Sequence, residues 1–166
     1  PNSKYPLSEY MGEPDTNRLA RGVIEGTIVK KKDNTRVKQV PKALGQGNWD
    51  QPEAPFGAKY PYNKVFETES GHVQEFDDTP GQERIHTFHR SGTFQEVHPN
   101  GDSVTKVVRD NYTSILRDNY VHIDGHCNVT IDKALKILVN SDKTQNTPNK
   151  ATNFDIEVCE NANINI

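Results

Sequence analysis

Nowhere in this chain do apolar residues approach the roughly twenty in succession that a bilayer-crossing helix requires. No segment has the pattern of a secretory signal. Cysteine is scarce: only Cys127 and Cys159 occur, and no CxxC or His/Cys spacing accompanies them. That excludes a disulfide framework and gives no reason to expect zinc. Reduced, mostly buried thiols and assembly in a reducing cytoplasm are the expectation. An excess of positive charge is also missing, with 20 Lys and Arg against 23 Asp and Glu, net charge −3 and pI about 6.1. A general nucleic-acid-binding surface is therefore not expected. The only basic run, Lys30, Lys31 and Lys32 with Arg36 and Lys38, is interrupted by Asp33 and reads as a solvated loop. Apolar residues as a class are few, at 32% with mean hydropathy −0.86. One copy has too little apolar surface for a large core of its own. Either the chain is disordered or several copies build the core between them.

What is present decides between these. Every eighth residue from Val107 gives Val107, Ile115, Ile123, Ile131 and Val139, all β-branched. Two positions earlier the same stride gives Thr105, Thr113, Val121, Val129 and Ile137. Three positions after the first series come Asp110, Asp118, His126, Ala134 and Asp142, which are mostly polar. Disordered segments are poor in β-branched residues, so disorder does not fit this stretch. Residues two apart share one face of a strand. A period this short is that of a stacked β-prism or β-helix, not a helical solenoid.

Around this block the chain changes character twice. Residues 1–60 are broken by Pro6, Pro14, Pro41, Pro52 and Pro55 and read as an extended linker. Within it the residues allow a helical turn at 15–20 and a strand at 22–30. The Pro-directed tract 43–61 carries Trp49, Phe56 and Tyr60 as candidate anchors. Residues 61–102 read as a neck of short strands, at 65–69, 71–76, 83–90 and 93–98, with a further strand at 104–108. Turn signals divide them at 78–81 (DTPG), at Ser91 and Gly92, and at 99–102 (PNGD). Residues 103–166 read as the shaft, interrupted by a polar loop at about 140–153. After the loop the period resumes in a new frame, with Ile156 and Ile164 eight apart and likewise Val158 and Ile166. A chain that begins at Pro1 and ends while a repeat is running is expected to be a processed product or a fragment.

Residues that look chemical have plainer explanations. His86 and His89 have HxxH spacing, but in a strand they point to opposite faces, and no third ligand stands near. His122 and His126 lie mid-shaft. Glu67 with Glu69, and Asp77 with Asp78, invite a glycosidase reading. Adjacent aspartates diverge in a strand, however, and suit a turn beside Thr79 and Gly81. No GxGxxG or P-loop is present. No catalytic, cofactor-binding or metal-binding residue is expected. An axial ion held between copies by an inward polar side chain is the one exception left open.

Three tracts carry a resemblance that periodicity cannot supply: SGHVQEFDDTPGQERI at 70–85, HRSGTF at 89–94 and HPNGDSVTKV at 98–107. In this order they resemble the neck of the central, cell-puncturing spikes of T4-like contractile-tailed bacteriophages, and of the related VgrG spikes of type VI secretion. The tracts YPLSEYMGEPDTNRLARG at 5–22 and WDQPEAPFGAKYPYN at 49–63 resemble the linker of the phage branch. The resemblance implies an all-β fold, an intertwined homotrimeric triangular β-helix preceded by linker and neck. Its trimer core would consist of Val107, Ile115, Ile123, Ile131 and Val139, flanked by Val121, Val129 and Ile137. At roughly 4.7 Å per strand, five octads make a shaft of about 24 Å. The implied function is a rigid baseplate needle that punctures the cell envelope when the sheath contracts. The implied partners are the upstream OB-fold and lysozyme part of the spike, the baseplate hub, a tip-capping protein and, transiently, the bacterial outer membrane. The implied location is the virion tail. One departure concerns the corners. The family often places glycine two residues after an inward valine, as Gly125 follows Ile123, whereas Arg109, Arg117, Lys133 and Ser141 occupy the equivalent positions. Two other functions remain in view, a receptor-binding tail spike and a fragment of a tail-associated lysozyme whose catalytic domain lies upstream.

Overall fold

The computed structural model describes residue 19, residues 28–139 and residues 154–159. The chain divides into two units, 1–129 and 130–166. The first six residues of the strand expected at 22–30, most of the helical turn at 15–20 and the loop at 140–153 lie outside the described residues.

In the first unit, residues 28–34 form a short helix, α1 (Ile28–Asn34), rather than the end of a strand. Ile28, Val29 and Lys32 fall on one side of it and are buried. This packing overrides the β-preference of the Ile-Val pair. The Thr35 hydroxyl closes the helix by donating to the Lys31 carbonyl at 3.1 Å. A small ribbon follows, β1 (Val40–Pro41) paired antiparallel with β2 (Asn48–Trp49) around a 3₁₀ turn at Ala43–Gly45. The 3₁₀ turn and second strand of this hairpin fall within the tract 43–61, expected to be extended. Its anchor is Phe56, which packs against the core, while Trp49 and Tyr60 stay exposed. Residues 28–56 are called the strap below.

The neck is a five-stranded antiparallel sheet in sequence order. Its strands are β3 (Asn63–Glu67), β4 (Val73–Asp77), β5 (Arg84–Phe88), β6 (Phe94–Val97) and β7 (Ser103–Lys106). Every strand expected between 65 and 108 is present, displaced by one or two residues at its ends. Three connections share one construction. The amides of Gly71, Gly92 and Gly101 donate to the carbonyls of Thr68, His89 and His98, three residues earlier. Each of these glycines has positive φ, 90°, 102° and 90°. A side chain is strained there, which is why glycine stands at each fold-back.

Register places residues on two contrasting faces. One face carries the row Val65, Glu75, His86, Glu96, Val104 beside Val73, Phe88 and Phe94. The strap covers it: Ile28 and Val29 of α1 and Leu19 join Val73, Phe88 and Phe94 in the core. The other face carries Phe66 and the row Phe76, Ile85, Val97, with Phe66, Phe76 and Ile85 exposed.

Beyond β7 every residue from Val107 to Val139 is exposed, and none belongs to a helix or strand. The chain is nevertheless regular. In the first unit it bends at residues 108–109, 116–117 and 124–125. In the second it bends at 132–133, and again at 159. Each bend follows directly on Val107, Ile115, Ile123, Ile131 or Val158, so the eight-residue sequence period is also a conformational period. The bend at 159 pairs Val158 with the first series after the frame shift. Both cysteines, expected to be mostly buried, are free and exposed in the single chain.

Candidate functional site

The most concentrated chemistry lies under α1. Arg84 on β5 stands between two carboxylates, with Nη1 at 2.7 Å from Glu96 on β6 and Nη2 bonded to Glu75 on β4. Lys32 reaches down from α1 to within 2.6 Å of the same Glu96 oxygen, and its ammonium lies 4.4 Å from the Phe94 ring centre. Asn63 donates to Glu75 at 3.2 Å, and His98 lies 3.2 Å from the other Glu96 oxygen. The Arg84 guanidinium also lies over Phe56, 5.2 Å from its ring centre. All these charged groups are buried. Unpaired, each would be very costly at this depth; together they form a balanced chain, Lys32–Glu96–Arg84–Glu75.

Burial and pairing act against each other here. Burial alone would raise the Glu96 carboxyl, but the Lys32 charge and hydrogen bond, with help from Arg84, hold it down to about 2. Burial raises Glu75, and Arg84 only partly offsets this. Burial also lowers the Lys32 ammonium, with Glu96 opposing. His86 is fully buried between Glu75, Lys32, Arg84 and Glu96; burial first, and then the cations, push it down to about 3. It is therefore a neutral imidazole at ordinary pH.

The structure places the members of the candidate pairs in different surroundings. His86 is buried beneath the strap, while His89 sits at a turn with its ring 4.4 Å from that of His72. Among the described residues no three metal-ligating side chains come together. Asp77 is buried and accepts from the Thr79 amide at 3.0 Å, whereas Asp78 points outward to Lys64 at 3.7 Å. Glu67 lies on the strap-facing side of β3 and Glu69 in the following turn. His122 is exposed and lies 2.9 Å from Asp124.

The octad residues are apolar and uncovered. Val107, Ile115, Ile123, Ile131 and Val139 are 38–51% exposed, against 62–74% for Val121, Val129 and Ile137. The first series is thus the more shaded by its own chain. Among the described residues, positive φ outside glycine is confined to Gln39 and Leu44, and Gly125 does not have it either. In the single chain the backbone at Arg109, Arg117 and Lys133, like that at Gly125, has no positive φ that would favour glycine, while Ser141 lies outside the described residues.

Sequence reasoning missed the buried charge layer. It treated Lys32 as part of a solvated run, although Lys32 is buried while Lys30, Lys31 and Lys38 are exposed. The available signal was the alternation in VQEFD, RIHTF and FQEV, which aligns Glu75, His86 and Glu96 once the strands pair. The opposite face, with Phe76, Ile85 and Val97, looked equally suited to burial.

No protein-family model matches the chain. It is similar to Protein Gp5 of Vibrio phage KVP40, 39% identical over 158 residues, which cover 79% of this chain and 38% of that protein. It is also similar to the pre-baseplate central spike protein Gp5 of Enterobacteria phage T4, 50% identical over 62 residues, 37% of this chain and 11% of that protein. The chain thus spans well under half the length of either relative.

Proposed function

We propose that this chain, a homologue of the Gp5 spike proteins of T4-like phages, is the needle part of a tail-baseplate central spike. Three copies wind round one axis, and the assembled shaft carries force from a contracting sheath into the cell envelope. The observation that carries this reading is the stretch from Val107 to Val139. It bends every eight residues, exposes its β-branched side chains and forms no sheet of its own. A chain that repeats a conformation while burying nothing is built to bury against copies of itself.

The physics of the trimer follows from the register of those residues. Each octad contributes one strand and one corner, and Val107, Ile115, Ile123, Ile131 and Val139 meet their symmetry mates at the axis. The exposed face of the neck, Phe66, Phe76, Ile85 and Val97, faces the same axis. β7 is an edge strand, open for the first octad of a neighbouring copy to extend the sheet. Backbone hydrogen bonds then run between chains, so bending the shaft breaks many of them at once, and the copies cannot separate without unfolding. No side chain performs chemistry in this mechanism. A muralytic activity, if the whole protein has one, belongs to residues outside this chain, and an axial ion is not needed to hold the shaft.

Two measurements on the purified chain test this function. It runs as a trimer on an SDS gel until boiled, and it leaves peptidoglycan intact in a muralytic assay. Wall hydrolysis by this chain alone would replace the needle with an enzyme.

A further inference from the structure

We propose that the strap is a releasable latch on the neck sheet rather than a permanent layer of its core, and that Lys32 is the cation that keys it into place. The argument stands on the geometry under α1 and does not depend on the spike function.

The strands beneath α1 bury three carboxylates, Glu75, Asp77 and Glu96, and one guanidinium, Arg84, which pairs with Glu75 and Glu96. Without the strap, this row is short of positive charge. Lys32 supplies that charge from a different segment, at 2.6 Å from Glu96, with its ammonium over the Phe94 ring. Its neighbour Lys31 is exposed and contributes nothing there. The sheet face thus has the chemistry of a receptor for one primary ammonium flanked by two apolar side chains, Ile28 and Val29. One further tie, from Lys106 to Thr35, lies at the exposed margin.

The sheet is held together in another way. Its five strands pair in sequence order, and its turns close on their own glycines. That framework does not run through α1. The strap adds no strand to that ladder; it is held by the Lys32–Glu96 pair, by Ile28 and Val29 against the sheet and by Phe56 under Arg84, so it can leave as a unit while the ladder stays paired. Its hold depends on charge, and a change of sign at position 32 releases it.

Hydrogen exchange read by mass spectrometry on the full chain, with Lys32→Glu and Lys32→Arg, tests this. In Lys32→Glu the amides of α1 are expected to exchange roughly tenfold faster or more, while those of β4 to β6 stay within about threefold of the parent. Lys32→Arg keeps α1 within about threefold of the parent. Loss of protection in β4 to β6 together with α1 would show that the strap is part of the core and overturn the latch. Unchanged α1 protection in Lys32→Glu, or equal loss in Lys32→Arg, would overturn the role given to the Lys32 charge.

Discussion

The neck and the octads are written in similar residues, yet one folds on itself and the other does not. Both alternate β-branched or aromatic residues with polar ones. The difference lies in what joins the strands. In the neck, Gly71, Gly92 and Gly101 adopt positive φ and reverse the chain, so each strand lies against the one before it. In the octads, residues 108–109, 116–117, 124–125 and 132–133 bend without positive φ, and no strand pairing follows. Turn chemistry thus determines whether strand-forming sequence pairs within its own chain; in the proposed trimer the octads pair with another copy.

The largest effect separating the two regions is expected from a charge at the axis. Ile123→Asp brings three carboxyls together in the proposed trimer, at a desolvation cost no packing offsets. Gel filtration with light scattering should find no trimer, while circular dichroism retains the neck sheet. A heat-resistant Ile123→Asp trimer would remove Ile123 from the core.

Next comes a contrast between two arginines. Arg84→Met leaves Glu75 and Glu96 buried without their shared cation and is expected to destabilise the neck by about 3–5 kcal/mol. Arg109→Met, at an exposed octad corner, should stay within about 0.5 kcal/mol. Urea unfolding followed at the neck measures both, and equal costs would break the distinction.

Acid sharpens it further. His86 is neutral in the fold until about pH 3, against an ordinary value of 6.5, so between these values the unfolded chain binds the proton and the folded chain does not. The contribution of His86 to stability therefore falls as pH drops through that window, by at most about 1.4 kcal/mol per pH unit. Glu96, held down to about 2, acts in the same direction below about pH 4.5, while Glu75, raised by burial, acts against it. Relative to His86→Phe, the parent neck should lose stability steadily from pH 6.5 to 4 in thermal melts. Parallel curves would mean that His86 carries a proton or lies in water.

The smallest expected effect compares two glycines. Gly101→Ala puts a side chain at φ +90° and should cost about 1 kcal/mol. Gly125→Ala meets open space in the single chain, without positive φ, and should change stability by less than about 0.5 kcal/mol. A large cost at Gly125 would mark that corner as a close contact with a neighbouring copy.

The strands and fold-backs of the neck were legible in the sequence because turn glycines and alternation act locally. The octad period was legible for the same reason, and it reappears as bends at the expected spacing. Which face of the neck lies under the strap was not legible, since Phe76 and Ile85 are better burial candidates than Glu75 and His86. Only a second segment carrying Lys32 turns the polar face inward. α1 was hidden likewise, because an Ile-Val pair suits a strand until Lys32, one turn later, finds Glu96.

All of this rests on copies sharing one core, and the mass of the assembled chain tests that most directly. Multi-angle light scattering should give three times the chain mass of 18.7 kDa, about 56 kDa. A folded, compact species of 18.7 kDa would contradict it.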